Sequence, residues 1–436
     1  MNFSIKTQLR KWYSYAREAW NYKMFRYAIF LQLTYFIVSS VLTLIFFRNL
    51  NDFRVYYKVG EVFTSNVTNL YDPMNYDWPF RYLPLSAFFF VPFYYLGFNL
   101  GFIIFNILNL TLNGCISIIL YKIIIIIKGA DHEKSNNRVL LYISLYLMGT
   151  PQLFNFILGQ INLYVTFCIL FSLYLFLKYE NFKWQLIASF ILGISIIFKP
   201  ITLFLFPFLL ILKFNKQTKK IEFNFLQSII RFAGALTPLA LNLILFLVSP
   251  PLLEGFININ LTGQETILIN HSISITKIIS NLLYLFGVRG ESLMMIQLPL
   301  FIAVAGFFTI ISLIFYFILR SRITTRENLI YGYILGILIM FLSYFDTWNH
   351  HLLIVLPILI IIIFNLSRTS DIIKRYIKIS FFFFNFIDIT FTILFFFTVD
   401  FFPFNFVGTV FLLIILYGIL KFCYNGDSQG KGGFKS

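Results

Sequence analysis

Charged residues are scarce in this chain, and their scarcity excludes an ordinary soluble domain. Only 12% of the 436 residues are charged, whereas 59% are hydrophobic and 20% are aromatic. Soluble domains carry about 25% charged residues. With a mean hydropathy of +0.82, the chain has more apolar surface than a water-soluble fold can hide. The solvent for most of it must therefore be lipid.

Cysteine and histidine are also rare, which argues against a disulfide framework and a metal site. The three cysteines, Cys115, Cys168 and Cys423, are odd in number and scattered along the chain. Among the four histidines, His350 and His351 are adjacent. On a helix they would point about 100° apart, which disfavours one shared metal ion. We predict no metal site.

Several nucleotide-binding motifs are missing from the sequence. It contains no Walker loop, no dinucleotide-binding glycine fingerprint and no Asp-x-Asp pair of the kind that holds a metal and a nucleotide. A nucleotide-sugar donor is therefore disfavoured, and we predict no cofactor.

The net charge of +16 does not require a nucleic-acid partner. With the N-terminus inside, most basic residues fall in the inner segments between predicted membrane spans, as the positive-inside rule expects. This topology predicts an all-α polytopic membrane protein with about 12 transmembrane helices. The predicted spans are 27–47, 100–121, 139–157, 161–177, 184–198, 201–212, 227–249, 294–319, 328–345, 351–366, 379–398 and 407–422.

The predicted spans divide the chain into four parts. A cytoplasmic segment, 1–26, precedes a membrane domain over 27–366, which contains a long first outer loop, 48–98. Two further transmembrane helices occupy 367–424, and a cytoplasmic tail, 425–436, is predicted to be disordered. Within the outer loop, residues 83–97 are apolar but contain Pro84 and Pro92. We interpret them as an interfacial or re-entrant element, since proline interrupts a helix.

Unusual polar residues collect on the predicted outer face of the membrane. Taken singly, their signals are weak, but together they predict one site. These residues are Asp52, Asp72, Arg81 and Tyr82 of the first outer loop, Gln160 and Asn162 of a tight turn, Lys199 of a short apolar hairpin, Asn270 of the loop 250–293, and Trp348, His350 and His351 at the end of the tenth span.

Each of these residues also has a simpler structural interpretation. Asp52 follows Asn51 and could cap a helix, and Asp72 lies in a Tyr-Asp-Pro turn. Gln160 and Asn162 could serve only their turn. Lys199 could extend to the interface, although a lysine inside an apolar hairpin is a functional candidate by default.

The same applies at the end of the tenth span and beyond it. Trp348 could belong to an interfacial aromatic belt. The two histidines could lie at the membrane interface with their hydrogen bonds made there, and have no other role. Asp388 lies alone in the middle of the eleventh span, where we predict a hydrogen bond between helices.

The order and spacing of five blocks resemble the GT-C class of integral-membrane glycosyltransferases. In particular, they resemble its polyprenol-phosphate-mannose-dependent α-1,2-mannosyltransferase-like family. The blocks are Asp52-Phe53-Arg54-Val55-Tyr56-Tyr57 with Tyr71-Asp72-Pro73 and Phe80-Arg81-Tyr82-Leu83-Pro84, Gly159-Gln160-Ile161-Asn162, Phe198-Lys199-Pro200, Asn270-His271-Ser272, and Trp348-Asn349-His350-His351. The chain departs from the family at Leu83, where a proline is usual, and at His271, where glutamine is frequent.

The resemblance implies a GT-C-like helical bundle and a polyprenyl- or dolichyl-phosphate-linked hexose donor, with mannose as the leading candidate. It implies transfer to a hydroxyl of a glycan or glycolipid on the extracytoplasmic side, with inversion and without a metal. In this interpretation Asp52 is the general base. Lys199, Arg81 and a histidine stabilise the leaving phosphate. Gln160, Asn162, Asn270 and Trp348 are candidates to hold the sugar.

Other interpretations of the sequence stay open. About twelve spans also fit a transporter or lipid flippase, although such proteins place polar sites near the bilayer midplane. A related transferase that moves phosphoglycerol or an aminosugar, and an inactive relative that serves as a subunit, fit as well. We predict residence in the cell membrane, or in the endoplasmic reticulum if the protein is eukaryotic.

Overall fold

The protein is built almost entirely from helices joined by short turns. The computed structural model describes residues 17, 19–129, 136–215, 220–261, 272–320, 325–366, 371–398 and 404–425. Its helices are α1 (Lys23–Ile45), α2 (Asp52–Ser65), α3 (Leu85–Tyr95), α4 (Phe98–Lys128), α5 (Asn136–Met148), α6 (Thr150–Leu158), α7 (Asn162–Lys178), α8 (Phe182–Phe198), α9 (Phe225–Val248), α10 (Pro250–Leu261), α11 (Ile275–Leu285), α12 (Glu291–Arg320), α13 (Thr325–Ser343), α14 (Val355–Asn365), α15 (Asp371–Phe382), α16 (Asp388–Thr398) and α17 (Phe404–Asn425).

Shorter helical turns supplement these helices. Short 3₁₀ turns span Val67–Asn69, Pro73–Asn75 and Asn349–Leu353, and a longer 3₁₀ segment spans Pro200–Leu209. A π-helical turn, Phe383–Ile387, joins α15 to α16. The predicted disordered tail lies almost wholly outside the described residues, as do most residues of the predicted cytoplasmic segment 1–26.

Among the residues that the structure describes, six helices are long and apolar enough to cross a membrane, which supports a multi-pass membrane protein. They are Lys23–Ile45, Phe98–Lys128, Phe225–Val248, Glu291–Phe317, Asp371–Phe395 and Phe406–Tyr424. The pair α5 and α6, bent by 41° at Gly149, adds a seventh candidate if it forms one span. The predicted figure of about 12 spans is therefore not confirmed.

The remaining predicted spans coincide with shorter apolar helices of 10–17 residues. Because an α-helix rises 1.5 Å per residue, 17 residues cover about 25 Å, short of a hydrocarbon core of about 30 Å. Two of these short helices lie inside the bundle. Every residue of the stretches 328–343 and 349–364 is buried, whereas α1, α9 and α12 expose many large apolar side chains, as a lipid-facing surface requires.

A small β-hairpin interrupts the helical fold where a span was predicted to end. Strands β1 (Leu212–Asn215) and β2 (Lys220–Phe223) are antiparallel. Their apolar residues pair with each other, as in Leu212 opposite Phe223, and their polar residues do the same. Polar and apolar residues alternate in both segments, which is the pattern of a strand rather than of a membrane helix.

The first outer loop is an ordered part of the bundle. Helix α2 packs along α3, and α3 packs on α4. The backbone amide of Leu83 donates to the carbonyl of Ile197, 3.2 Å away, which fastens the loop to the end of α8. Helix α3 has only 11 residues and contains Pro92, in keeping with the predicted short element over 83–97.

Candidate functional site

A cavity of about 900 Å³ lies where the first outer loop meets the ends of several helices. It brings together eight of the residues predicted from the sequence. These are Asp52, Arg81, Tyr82, Gln160, Lys199, Trp348, His350 and His351. They come from four separate parts of the chain, and the fold brings them together around one space.

Asp52 is the first residue of α2, and its side chain does not cap that helix. Asn51 caps it instead, since its Oδ1 accepts from the amide of Arg54 at 3.0 Å. The Asp52 carboxylate lines the cavity, where its Oδ2 accepts from Nε2 of Gln160 at 2.5 Å. The capping interpretation of Asp52 is therefore wrong, and its carboxylate is available for chemistry.

Gly159 makes this contact between Gln160 and Asp52 possible. It ends α6 in the left-handed conformation, with φ 63°, which glycine adopts without strain. A Cβ at this position would lie 2.6 Å from Cβ of Phe53, the residue next to Asp52. Only a residue without a side chain lets the turn approach the start of α2 this closely.

A chain of hydrogen bonds fixes the orientation of the Gln160 amide. Tyr56 Oη donates to Gln160 Oε1 at 3.2 Å and lies 2.9 Å from Tyr82 Oη. Tyr56 also stacks on Phe90, with ring centroids 4.5 Å apart. Since the Gln160 oxygen is engaged by Tyr56, its NH₂ group is directed to Asp52, whose Oδ2 accepts from it.

Lys199 lies between α8 and the 3₁₀ segment Pro200–Leu209, and its side chain is turned inward. Its amide donates to the carbonyl of Ser195, and its carbonyl accepts from the amide of Thr202. The residue is only 4% exposed and lines the cavity. The interpretation of Lys199 as a lysine that extends to the interface is therefore wrong.

Arg81 anchors the first outer loop to the segment that follows α13. Its Nη1 lies 2.8 Å from Oδ2 of Asp346, and Oδ1 of Asp346 accepts from the indole Nε1 of Trp348. Both oxygens of Asp346 are thus engaged. The pair holds the guanidinium and the indole on the same side of the cavity.

The histidine pair occupies the 3₁₀ turn Asn349–Leu353 and is buried against the cavity. The two rings pack edge to face, with centroids 4.3 Å apart. Nδ1 of His351 accepts from the amide of Trp348 at 3.1 Å. A neutral ring that accepts at Nδ1 carries its proton on Nε2, so His351 has one N–H group to offer.

Burial and neighbouring charges shift the pKa values of the charged groups in the cavity. Burial raises the pKa of Asp52 to about 6, although the bond from Gln160 and the charge of Lys199 oppose this. Burial lowers the pKa of Lys199 to about 7, and the carboxylates Asp52 and Asp346 limit the fall. Perturbed carboxylates and lysines that share one cavity are typical of functional sites.

Three predicted site residues are not placed in the cavity. Asn162 is buried at the start of α7, where its Nδ2 donates to Oδ1 of Asn155, and it does not line the cavity. Asp72 is exposed and caps the 3₁₀ turn Pro73–Asn75 through the amide of Met74, as its turn interpretation expects. Asn270 lies outside the described residues.

The cavity also contains residues to which the sequence prediction gave no role, although Tyr56 and Asn349 stand in its motif blocks and Asp346 precedes the last of them. They are Asp346, Lys277, Tyr56, Tyr344 and Asn349. One signal was present for Lys277, which is the only Asp, Glu, Lys or Arg in the stretch 266–288. Asn349 donates through Nδ2 to Oδ2 of Asp388 at 2.7 Å, so the predicted hydrogen bond of Asp388 is confirmed. Its partner belongs to the turn that carries the histidines.

The family model of Glycosyltransferase family 87 matches residues 80–343, more than half of the chain. The matched stretch includes Arg81, Gln160, Lys199 and Lys277, whereas Asp52 and the histidine pair lie beyond its ends. No curated protein matches the chain.

Proposed function

Because the chain belongs to glycosyltransferase family 87, we propose that it transfers a hexose from a polyprenyl-phosphate-linked donor to a hydroxyl acceptor. Mannose is the leading candidate for the sugar, and a glycan or glycolipid for the acceptor. The transfer takes place on the extracytoplasmic side of the membrane and inverts the anomeric carbon. Family membership favours transfer over transport, the alternative that the number of helices leaves open.

One observation carries this proposal: a carboxylate and two cations from separate parts of the chain face the same cavity. Asp52, Lys199 and Arg81 all line it. A transfer from a phosphate-linked sugar needs a base for the acceptor hydroxyl and positive charge for the phosphate that leaves. The cavity supplies both.

The reaction follows from these roles. Asp52 takes the proton of the acceptor hydroxyl as its oxygen forms a bond to the anomeric carbon. The bond from that carbon to the phosphate oxygen breaks, and the electron pair leaves with the polyprenyl phosphate. Gln160 holds the carboxylate of Asp52 in place, and Lys199 and Arg81 stabilise the charge that grows on the phosphate. His351 offers Nε2–H to the sugar or the phosphate.

The test is transfer of radiolabelled mannose from polyprenyl-phosphate-mannose by the purified protein, with a pool of membrane lipids as acceptors. EDTA in the assay tests the prediction that no metal takes part. We expect the wild type to transfer mannose, and Asp52→Asn to lose activity by about 10²–10⁴-fold, the usual contribution of a general base. Asn is nearly isosteric with Asp, so we expect folding to be unchanged.

Asp72→Asn is the matched control, since it makes the same chemical change in the same loop but outside the cavity. It should keep wild-type activity. A fully active Asp52→Asn variant would refute the assigned base. Wild-type protein that binds the donor but transfers label only from a different sugar would correct the sugar and keep the reaction class.

A further inference from the structure

Lys277 is a third cation of the cavity, and no sequence motif singled it out. It is the third residue of α11, lines the cavity and is only 2% exposed. An ionisable side chain that is this deeply buried in a membrane protein and lines a cavity is a candidate for function.

The backbone before α11 holds Lys277 firmly against the segment that carries Asp346 and Trp348. The amide of Ile273 donates to the carbonyl of Thr347 at 3.0 Å. In return, the amide of Thr347 donates to Oγ of Ser272 at 3.1 Å. Ser274 then caps α11 by accepting from the amide of Lys277. The position of Lys277 is thus set by the same segment that engages Arg81.

Lys277 shares its electrostatic neighbours with Lys199, the other buried lysine of the cavity. Burial lowers the pKa of Lys277 to about 8, with Asp346 opposing and Arg81 assisting the fall. Lys199 responds to the same two charges. The two lysines therefore belong to one charged group around the cavity.

We propose that Lys277 binds the phosphate of the lipid-linked donor and stabilises it as the leaving group. This inference rests on the proposed function. In an inverting displacement the leaving group departs from the face of the sugar opposite the attacking hydroxyl. The phosphate therefore lies on the side of the sugar opposite Asp52, and Lys277, which lines the same cavity, supplies a cation for it. As the bond between the anomeric carbon and the phosphate oxygen breaks, the added negative charge on that oxygen is balanced by the Lys277 ammonium.

The experiment compares binding of polyprenyl phosphate, the leaving group itself, with binding of the uncharged polyprenol. The variants are Lys277→Met, which removes the charge at similar volume, and Lys277→Arg, which keeps it. Lys183→Met, at an exposed position of α8, is the control. We expect Lys277→Met to weaken polyprenyl phosphate binding about 10-fold or more, as loss of a charge-assisted bond predicts. Polyprenol binding and thermal stability should not change.

Two further results support the inference if they occur together. Lys277→Arg should keep polyprenyl phosphate binding within about threefold of wild type, because a cation is retained. In the transfer assay, Lys277→Met should lower kcat about 10-fold or more as well as weaken donor binding, because the charge on the phosphate increases in the transition state.

The outcomes separate failure of this inference from failure of the proposed function. Equal binding of polyprenyl phosphate by wild type and Lys277→Met would overturn the inference alone. Loss of polyprenol binding as well would show a structural role and also overturn it. A wild type that binds polyprenyl phosphate through Lys277 but transfers no sugar would support the anion site and overturn the function. A wild type that does not bind polyprenyl phosphate would overturn both.

Discussion

Two regions of this protein bury polar side chains inside the helical bundle, and they do so in opposite ways. In the first, amide side chains from α1, α4 and α6 bond to one another: Asn113 Nδ2 lies 2.9 Å from both Gln32 Oε1 and Gln152 Oε1. Gln152 returns a bond to Asn113 Oδ1, and Gln32 donates to the carbonyl of Leu147. We call these three residues, Gln32, Asn113 and Gln152, the amide cluster.

The second region, the cavity around Asp52, holds charges instead of neutral amides. Asp52, Lys199 and Lys277 face a space large enough for a sugar and a phosphate, whereas no residue of the amide cluster lines that cavity. Neutral groups that satisfy each other join helices at little cost in lipid. Charged groups held around an open space are costly and indicate a ligand. The comparison predicts that changes in the cavity alter activity, and that changes in the amide cluster alter stability.

The largest of the effects that this comparison predicts is expected for Lys199→Met. Loss of a cation near the developing phosphate charge should lower kcat by about 10²–10³-fold, while stability stays the same or rises because a buried charge is removed. Steady-state kinetics and thermal unfolding of the purified protein measure the two. Lys183→Met is the control and should behave as wild type. A Lys199→Met variant that is active but unstable would contradict the prediction, since it would show that Lys199 serves stability rather than activity.

The pH profile of transfer should be bell-shaped. Asp52 must be ionised to act as base, so activity should rise with pH through about 6. Lys199 must be protonated, so activity should fall as pH rises through about 7. On the acid side of the first pKa and on the alkaline side of the second, activity should change roughly tenfold per pH unit. In Lys199→Arg the alkaline limb should move toward about 8, where Lys277 loses its proton. An unchanged alkaline limb in that variant would show that deprotonation of Lys199 does not cause the loss of activity at high pH.

A smaller effect is expected at Asp388, which does not line the cavity itself but bonds through its side chain to Asn349, which does. Leucine at this position removes the acceptor of the Asn349 amide and frees the turn that carries the histidines. We expect Asp388→Leu to lower kcat/KM about tenfold, since bonds to charged groups contribute about 1.5–3 kcal/mol. Asp388→Asn keeps an acceptor oxygen and should retain most activity. Equal activity of both variants and wild type would show that the turn needs no such support.

The smallest effect on catalysis is expected in the amide cluster. Asn113→Leu leaves Gln32 and Gln152 without their shared partner in the bundle, which costs about 1–3 kcal/mol in the free energy of unfolding. Activity per folded molecule should be unchanged. Unfolding in denaturing detergent, with transfer measured on the folded fraction, tests this. A loss of activity without a loss of stability would mean that the amide cluster takes part in function.

Local patterns were sufficient to predict most of the polar residues that line the cavity. Asp52, Lys199 and the histidine pair are polar residues in apolar surroundings, and in lipid such residues are costly enough to be conspicuous in a sequence. The same patterns could not separate Asp72, which only caps a turn, from Asp52. Both are carboxylates in one outer loop, and the difference between them is the partner, Gln160, that lies 108 residues from Asp52 along the chain.

The sequence by itself determined a helical membrane protein with a polar face, because the hydrophobic effect and the positive-inside rule act on composition and local order. The tertiary structure decided which polar residues share the cavity. Lys277 reaches it through backbone bonds between Ile273 and Thr347, and Asp388 supports it through Asn349. These contacts join segments that are distant along the chain. Their formation depends on how the helices pack, which no local pattern encodes.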